Sequence, residues 1–390
     1  MRIKKILCII LSLAAICAPF SGCTPKDEEE PTYNISKIKV DNAKLNEIET
    51  QVDDILNRNE FHGSAVISMN NQKIYSKSFG YLDPGKNHKL NSKSQYPIGT
   101  LTMGITSAAV LKLEAEKKLS LKDKLSKYFY LKENGQFLNE ITIEDLIKCQ
   151  CAFGNYTSDQ KNNPERWAQL ERYFKAEHPD LYNEKISELI EANILHNGLT
   201  EGTKNVYSNF YLLGRIVAKV TGGSYSKYVQ KNIFDKLGMK HTGFMNSRFK
   251  ICGLDMNNKK WVLYSNNSRL KNFGYLYSTL GIVSCTDDMH KFYTGLLSGK
   301  LGVDFVKKIR YSYATNSFGF YKYSNKVRIS SRLSYYCAYV NINFQNNEVV
   351  VLLSNSIGKT DVVNTGMDMY DVISSKVNGL IIDDVQSENN

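Results

Sequence analysis

The segment Tyr96-Pro97-Ile98-Gly99-Thr100-Leu101-Thr102-Met103, with the apolar run Ile105 to Leu113 behind it, constrains the fold of this chain most. Extended residues, a glycine hinge and a helix start follow one another, which places residue 100 at a helix N-terminus facing a cleft. Position 103 then lies one turn along on the same helical face. A hydroxyl, Thr100, and a thioether, Met103, fill the two places.

On either side of this segment the pattern is readable. From Asn42 to Asn59, Leu45, Ile48, Val52, Ile55 and Leu56 recur at helical spacing. Gly63 to Met69 reads as a strand, Asn70-Asn71 as a turn and Lys73 to Phe79 as the returning strand. Gly80 to Gly85 is a loop leading to the central segment, and a helical, Lys- and Glu-rich middle runs from Ile141 to roughly Tyr293. Strands return near Arg328 to Phe344 and at Glu348 to Ser354, the latter almost purely β-branched and apolar, with Asn346-Asn347 between them. Asp361 to Val377 reads as a closing amphipathic helix. The two ends most simply complete one antiparallel sheet, and the middle forms a second, mostly helical lobe with the cleft at the junction: an α+β architecture. Residues 42–378 are expected to form this domain and 379–390 a loose polar tail.

The N-terminus bears on compartment. Arg2, Lys4 and Lys5 precede the apolar stretch Ile6 to Phe20, and Phe20-Ser21-Gly22-Cys23 follows. We expect residues 1–22 to be a lipoprotein signal peptide and Cys23 to be lipidated, with 23–41 as a charged, proline-flanked tether. An ordinary signal peptide or an uncleaved anchor helix is the alternative. The expected location is the extracellular face of the cell membrane. The formal charge of +11, which becomes +8 once Arg2, Lys4 and Lys5 leave with the signal (11 − 3), suits anionic lipids and wall polymers there. No Lys/Arg cluster alternates with aromatics as in a nucleic-acid-binding motif, so no nucleic-acid partner is expected. Five cysteines (Cys149, Cys151, Cys252, Cys285 and Cys337) lie in the body and read as small buried hydrophobes. The six histidines never fall three to five residues apart, so no metal or cofactor is expected.

Several phrases resemble the β-lactamase-related serine hydrolases, the group of class C β-lactamases, penicillin-binding proteins and their esterase and D-aminopeptidase relatives. Phe61-His62-Gly63-Ser64-Ala65-Val66 with Phe79-Gly80-Tyr81-Leu82-Asp83 is similar to the family's first hairpin, and Leu119-Ser120-Leu121-Lys122-Asp123-Lys124-Leu125 to its next phrase. The strongest block runs from Gly202 to Phe244. It contains Val206-Tyr207-Ser208-Asn209-Phe210, Val220-Thr221-Gly222 and Phe234-Asp235-Lys236-Leu237-Gly238-Met239. Gly281-Ile282-Val283-Ser284-Cys285-Thr286-Asp287-Asp288-Met289 resembles a later one. The resemblance implies a β-lactamase/transpeptidase-like fold over most of residues 45 to 375.

It also implies a site. Family catalysis uses a Ser-x-x-Lys pair, a second motif of the Tyr-x-Asn kind, and a Lys/His-Thr/Ser-Gly strand, with two backbone N–H groups for the oxyanion. Here Ser-x-x-Lys is replaced by Thr100-x-x-Met103. Tyr207 and Asn209 take the places of base and substrate-amide anchor, or merely pack at the lobe junction. The counterpart of the third motif falls within Lys326-Val327-Arg328-Ile329-Ser330-Ser331, with Arg328 in the cationic place and no glycine between Gly319 and Gly358. Without that glycine, side chains occupy the rim where a substrate backbone should lie. The His-Thr-Ser-Gly loop reads Lys148-Cys149-Gln150-Cys151-Ala152. Six other Ser-x-x-Lys pairs exist (Ser36/Lys39, Ser158/Lys161, Ser224/Lys227, Ser247/Lys250, Ser268/Lys271 and Ser356/Lys359), and none follows an extended segment into an apolar helix.

A phenol near its ordinary pKa of about 10 is a poor base unless cations depress it, and Met103 carries no charge. Thr100 adds a methyl that stiffens its rotamer, and it reads as a buried helix N-cap rather than a nucleophile. The chain is therefore expected to be a catalytically silent, lipid-anchored binding or regulatory module of the cell envelope, with a peptidoglycan fragment or peptide in its cleft. The competing hypothesis is an active D,D-peptidase, β-lactamase or esterase using Thr100 with Tyr207.

Overall fold

The computed structural model describes residues 42–131, 138–154, 156, 184–199, 206–245, 252–255, 259–262, 278–310, 312, 316–345, 347–357, 364–369 and 371. The expected signal segment, Cys23, the tether and the tail 379–390 lie outside the described residues, as does much of the expected helix 361–377. All described residues belong to one compact unit, Val40–Asn390.

Helix α1 (Asn42–Arg58) leads into strands β1 (Gly63–Met69) and β2 (Gln72–Phe79). Asn70 and Asn71 join the strands at φ of 50° and 67°. Asparagine tolerates such left-handed angles, and two in succession match the twist of a tight hairpin. The other edge of β1 pairs with β12 (Glu348–Ser354), Gly63 lying opposite Ser354, so the two ends of the chain do close one sheet. Its order is β2-β1-β12-β11-β10-β9-β8. Here β8 is Asn316–Ser317, β9 Phe320–Tyr323, β10 Lys326–Leu333 and β11 Tyr336–Asn343.

Side chains alternate between the sheet's faces, as the strand period requires. Val66, Val340, Val351 and Leu353 join the larger apolar core, together with Val327 and Ile329 of β10. Ala65, Ile67, Tyr339, Val350 and Leu352 join a smaller core with Ile48, Val52, Ile55 and Leu56 of α1 and Met369 of the helical turn at 364–369. Burial on both faces explains why 348–354 is a continuous apolar run rather than an alternating one.

The larger core is filled from the helical side. Helix α2 (Leu101–Ala115) is buried at every residue from Leu101 to Leu113, which is why its sequence carries no polar stripe. Around it stand α3 (Ile143–Ile147), α4 (Glu184–Asn197) and α5 (Val206–Thr221), followed by α6 (Tyr225–Val229). A π-helical turn (Gln230–Phe234) joins α6 to α7 (Asp235–Leu237), where Gly238 at φ 66° ends the helix. Helices α8 (Thr286–Leu297) and α9 (Phe305–Arg310) complete this side. Helix α3 starts with a capping box between Thr142 and Asp145. Arg215 of α5 reaches Glu191 of α4 through Nε at 2.6 Å.

Two small sheets escaped the sequence reading because their strands are only two or three residues long: β3 (Tyr96–Pro97) with β7 (Ile282–Ser284) and β4 (Gly243–Phe244), and β13 (Ser356–Ile357) with β5 (Gly253–Asp255) and β6 (Lys260–Val262). The first of them fixes the approach to α2. Tyr96 lies opposite Ser284, and the Ile98 N–H donates to the Ile282 carbonyl at 3.0 Å.

Candidate active site

The chain turns from β3 into α2 at Gly99, whose φ is +53°. A Cβ built there would come within 2.0 Å of Ser331 Oγ on β10, so the close approach of these segments requires glycine on both counts. Residue 100 therefore docks against β10. Strand β9 pairs with β10 only at residues 326–328, leaving the far half of that edge to the β3–α2 junction.

Thr100 sits at the N-terminus of α2, as the sequence predicts, but it is neither buried nor a side-chain cap. It is half-buried, its backbone is helical (φ −60°, ψ −17°), and its side chain makes no capping hydrogen bond. The hydroxyl instead donates to the Ser330 carbonyl at 2.8 Å, and the Thr100 N–H donates to Ser331 Oγ at 3.0 Å. β10 thus offers the hydroxyl an acceptor across the junction, and the hydroxyl takes it in place of a capping bond. The amide that family chemistry would turn toward an oxyanion is engaged by a serine side chain, the rim-filling expected from the missing glycine.

Met103 is only 2% exposed and lies in the larger apolar core. Against it packs the β8–β9 turn, Phe318 and Gly319 at φ 56° and 78°. A Cβ on Gly319 would meet Met103 Cβ at 2.8 Å and the Gly104 nitrogen at 2.9 Å. The Phe320 ring covers Gly104 from the same hairpin. Sequence reasoning missed this hairpin, although Gly319 was its one visible signal.

Tyr207 and Asn209 stand in the first turn of α5, which packs on α2. Burial pushes the half-buried Tyr207 phenol above its ordinary range, the opposite of what a general base needs. Asn209 is fully buried, and its Nδ2 donates to the Cys151 carbonyl at 3.2 Å. Its Oδ1 has no partner among the described residues. Ser208 between them donates to the Gly154 carbonyl and accepts from the Tyr156 N–H at 3.3 Å. The motif thus holds the backbone of Cys151, Gly154 and Tyr156, and the Asn209 amide nitrogen is spent on the first of these.

Arg328 does not take the cationic place expected of it. Val327, Ile329 and Ser331 form the row of β10 that faces α2, so Arg328 falls on the opposite face by the alternation of the strand. Its guanidinium lies 5.2 Å from the Tyr321 ring centre and 5.4 Å from that of Tyr323, and Nη1 approaches Met367 Sδ at 3.3 Å. Within the stretch 326–331, the residues that meet Thr100 are Ser330 and Ser331. Among the described residues all five cysteines are buried and unbridged. Burial first, then Asp288, raises the Cys285 thiol to about 12, an inert thiol. Among the described residues no three His, Cys, Asp or Glu side chains gather as a metal site.

A sheet closed by both chain ends, with a central buried helix whose first turn meets the inner strand, is matched by the beta-lactamase family model over residues 48–366. The chain belongs to the beta-lactamase family. It is 29% identical over 217 residues to Protein flp of Staphylococcus aureus (strain NCTC 8325 / PS 47), covering 54% of this chain and 41% of that protein. It is 27% identical over 245 residues to the putative penicillin-binding protein PbpX of Bacillus subtilis (strain 168), covering 62% and 56%. The match thus spans about half, or less, of these relatives' own length. Among solved structures, FmtA from Staphylococcus aureus superposes with a TM-score of 0.67 at 22% identity over 87% of this chain and 93% of that one. A penicillin-binding protein from Bacillus halodurans gives 0.64 at 18% identity over 83% and 99%. At these identities the structural likeness speaks for the fold.

Proposed function

We propose that this penicillin-binding-protein-like domain is catalytically silent and acts as a binding or regulatory module. One observation carries the proposal. The only hydroxyl at the catalytic position, on Thr100, donates to the Ser330 carbonyl rather than to a base, and the position one turn on is an apolar side chain sealed in the core. Nucleophilic catalysis needs a group that takes the hydroxyl proton; a carbonyl oxygen cannot take it, and a phenol raised by burial is a poor substitute. Loss of a base and of a free oxyanion donor each lowers turnover by roughly a factor of a hundred or more.

The ligand we propose for the cleft is a peptidoglycan fragment or peptide, and the proposed location is the outer face of the cell membrane through a lipid on Cys23. Incubation with a fluorescent penicillin and a fluorophosphonate tests the first part, beside Thr100→Ala. No adduct is expected, whereas labelling abolished by the substitution would restore the active-hydrolase alternative. Muropeptides are expected to raise the melting temperature without an adduct; no shift with any fragment removes the cleft-ligand proposal. Cys23→Ala is expected to release the chain from the membrane fraction.

A further inference from the structure

Among the described residues, helix α1 and the turn at 364–369 cover the outer face of the sheet from β1 to β11, the turn reaching Arg328 of β10 through Met367, while Ser330 and Arg332 of β10 and Tyr321 of β9 are exposed. On that strip Arg328, Ser330 and Arg332 follow one another along β10, each on the face turned away from α2. Tyr321 pairs across from Arg328 on β9 and is 43% exposed; Met367, which touches Arg328, is 37% exposed. Exposed apolar surface and cationic surface therefore coincide here.

The two arginines differ from Arg58 and Arg215. Arg58 meets Asp368 at 3.8 Å and Arg215 is bound by Glu191. Among the described residues neither Arg328 nor Arg332 meets a carboxylate. Asp368, next in sequence to Met367, is drawn to Arg58 instead. Arg328 is held in place by two tyrosine rings and a thioether, which leaves the edge of its planar fork to bond an anion. Arg332 is exposed four residues further on, about 13 Å along the strand.

We propose that this strip is a second docking surface, on the face opposite the cleft, for an extended acidic peptide segment of a partner protein. Carboxylates at positions n and n+4 of an extended chain repeat the spacing of the two guanidiniums and point to one side, with an apolar residue at n+2. Each carboxylate forms a fork-to-fork pair with one arginine. The Tyr321 ring and Met367 thioether favour a peptide over a bare polyanion, because only the peptide brings apolar side chains to cover them.

The test uses the full chain and the fluorescein-labelled peptide Ser-Glu-Thr-Leu-Thr-Glu-Ser, read by anisotropy at physiological salt. Saturable binding is expected, lost by about tenfold or more when both glutamates are replaced by glutamine. Arg332→Gln, at an exposed side chain, is expected to weaken binding, and the pair Arg328→Gln/Arg332→Gln to abolish it. Binding that is absent, or equal for the glutamine peptide or for the doubly substituted chain, overturns the proposal. So does arginine-dependent binding of long-chain polyphosphate in place of the peptide. The muropeptide melting shift is read on the same variants and speaks only to the cleft, so the two proposals fail separately.

Discussion

Gly99→Ala isolates the contact that closes the site. The new Cβ would lie 2.0 Å from Ser331 Oγ and 3.0 Å from Ser331 Cβ, on a backbone at φ +53°. Holding alanine in the left-handed region costs about 1 kcal/mol. Pushing the serine hydroxyl aside removes its bond to the Thr100 N–H and strands a partly buried donor, about 1–2 kcal/mol more. The total, about 2–3 kcal/mol, corresponds to a fall in melting temperature of roughly 3–4 °C for a domain of this size. Urea titration of Gly99→Ala, Ser331→Ala and the double variant reads the coupling directly. Once alanine occupies position 99 the serine has already lost its bond, so adding Ser331→Ala is expected to cost almost nothing. The pair should be non-additive by about 1 kcal/mol. Full additivity, or a Gly99→Ala chain within about 0.5 kcal/mol of wild type, would refute the contact between the β3–α2 junction and β10.

Met103→Lys places an ammonium at a position 2% exposed within apolar neighbours, and is expected to destabilise the chain by about 3–5 kcal/mol by urea titration. A tolerated lysine would mean that a cation's partners survive there. Gly319→Ala drives a Cβ to 2.8 Å from Met103 Cβ and 2.9 Å from the Gly104 nitrogen at φ +78°, and should cost about 2–4 kcal/mol, whereas Gly222→Ala, with open space around it, should cost only the backbone share of about 1. Acid is expected to destabilise the fold. His62 Nε2 accepts from the Tyr81 N–H at 3.1 Å, so Nδ1 donates to Asn355 at 2.7 Å and the ring is neutral, its pKa lowered by burial first and then by Lys86. Burial, then Lys73 and Lys291, lowers His290 to about 4. Between pH 6.5 and about 4 the unfolded chain binds protons that the folded chain refuses, so stability falls as pH falls, by about 2 kcal/mol for His290 after solvent screening. His290→Asn should flatten that slope in a series of urea titrations across this range.

How far the sequence was legible depended on how local the signal was. Asn70-Asn71 fixes its hairpin because both residues take angles that few others accept, and α2 announces its burial by lacking any polar face. The closure of the sheet by β1 and β12 was legible from two apolar strands needing partners. Arg328 was misplaced because period two makes a one-residue error in register a change of face, and no glycine or proline pins β10 within Lys326–Leu333. The fate of the Thr100 hydroxyl was illegible for a different reason. Its acceptor is a backbone carbonyl 230 residues away, and any residue type would supply one.

The intact mass of the wild-type chain, followed over hours with a penicillin and separately with a D-Ala-D-Ala peptide ester, tests the silent-site account most directly. An unchanged mass throughout, with substrate recovered whole, is the expected result. An acyl adduct that maps to Thr100, or turnover of either compound that Thr100→Ala removes, would contradict it.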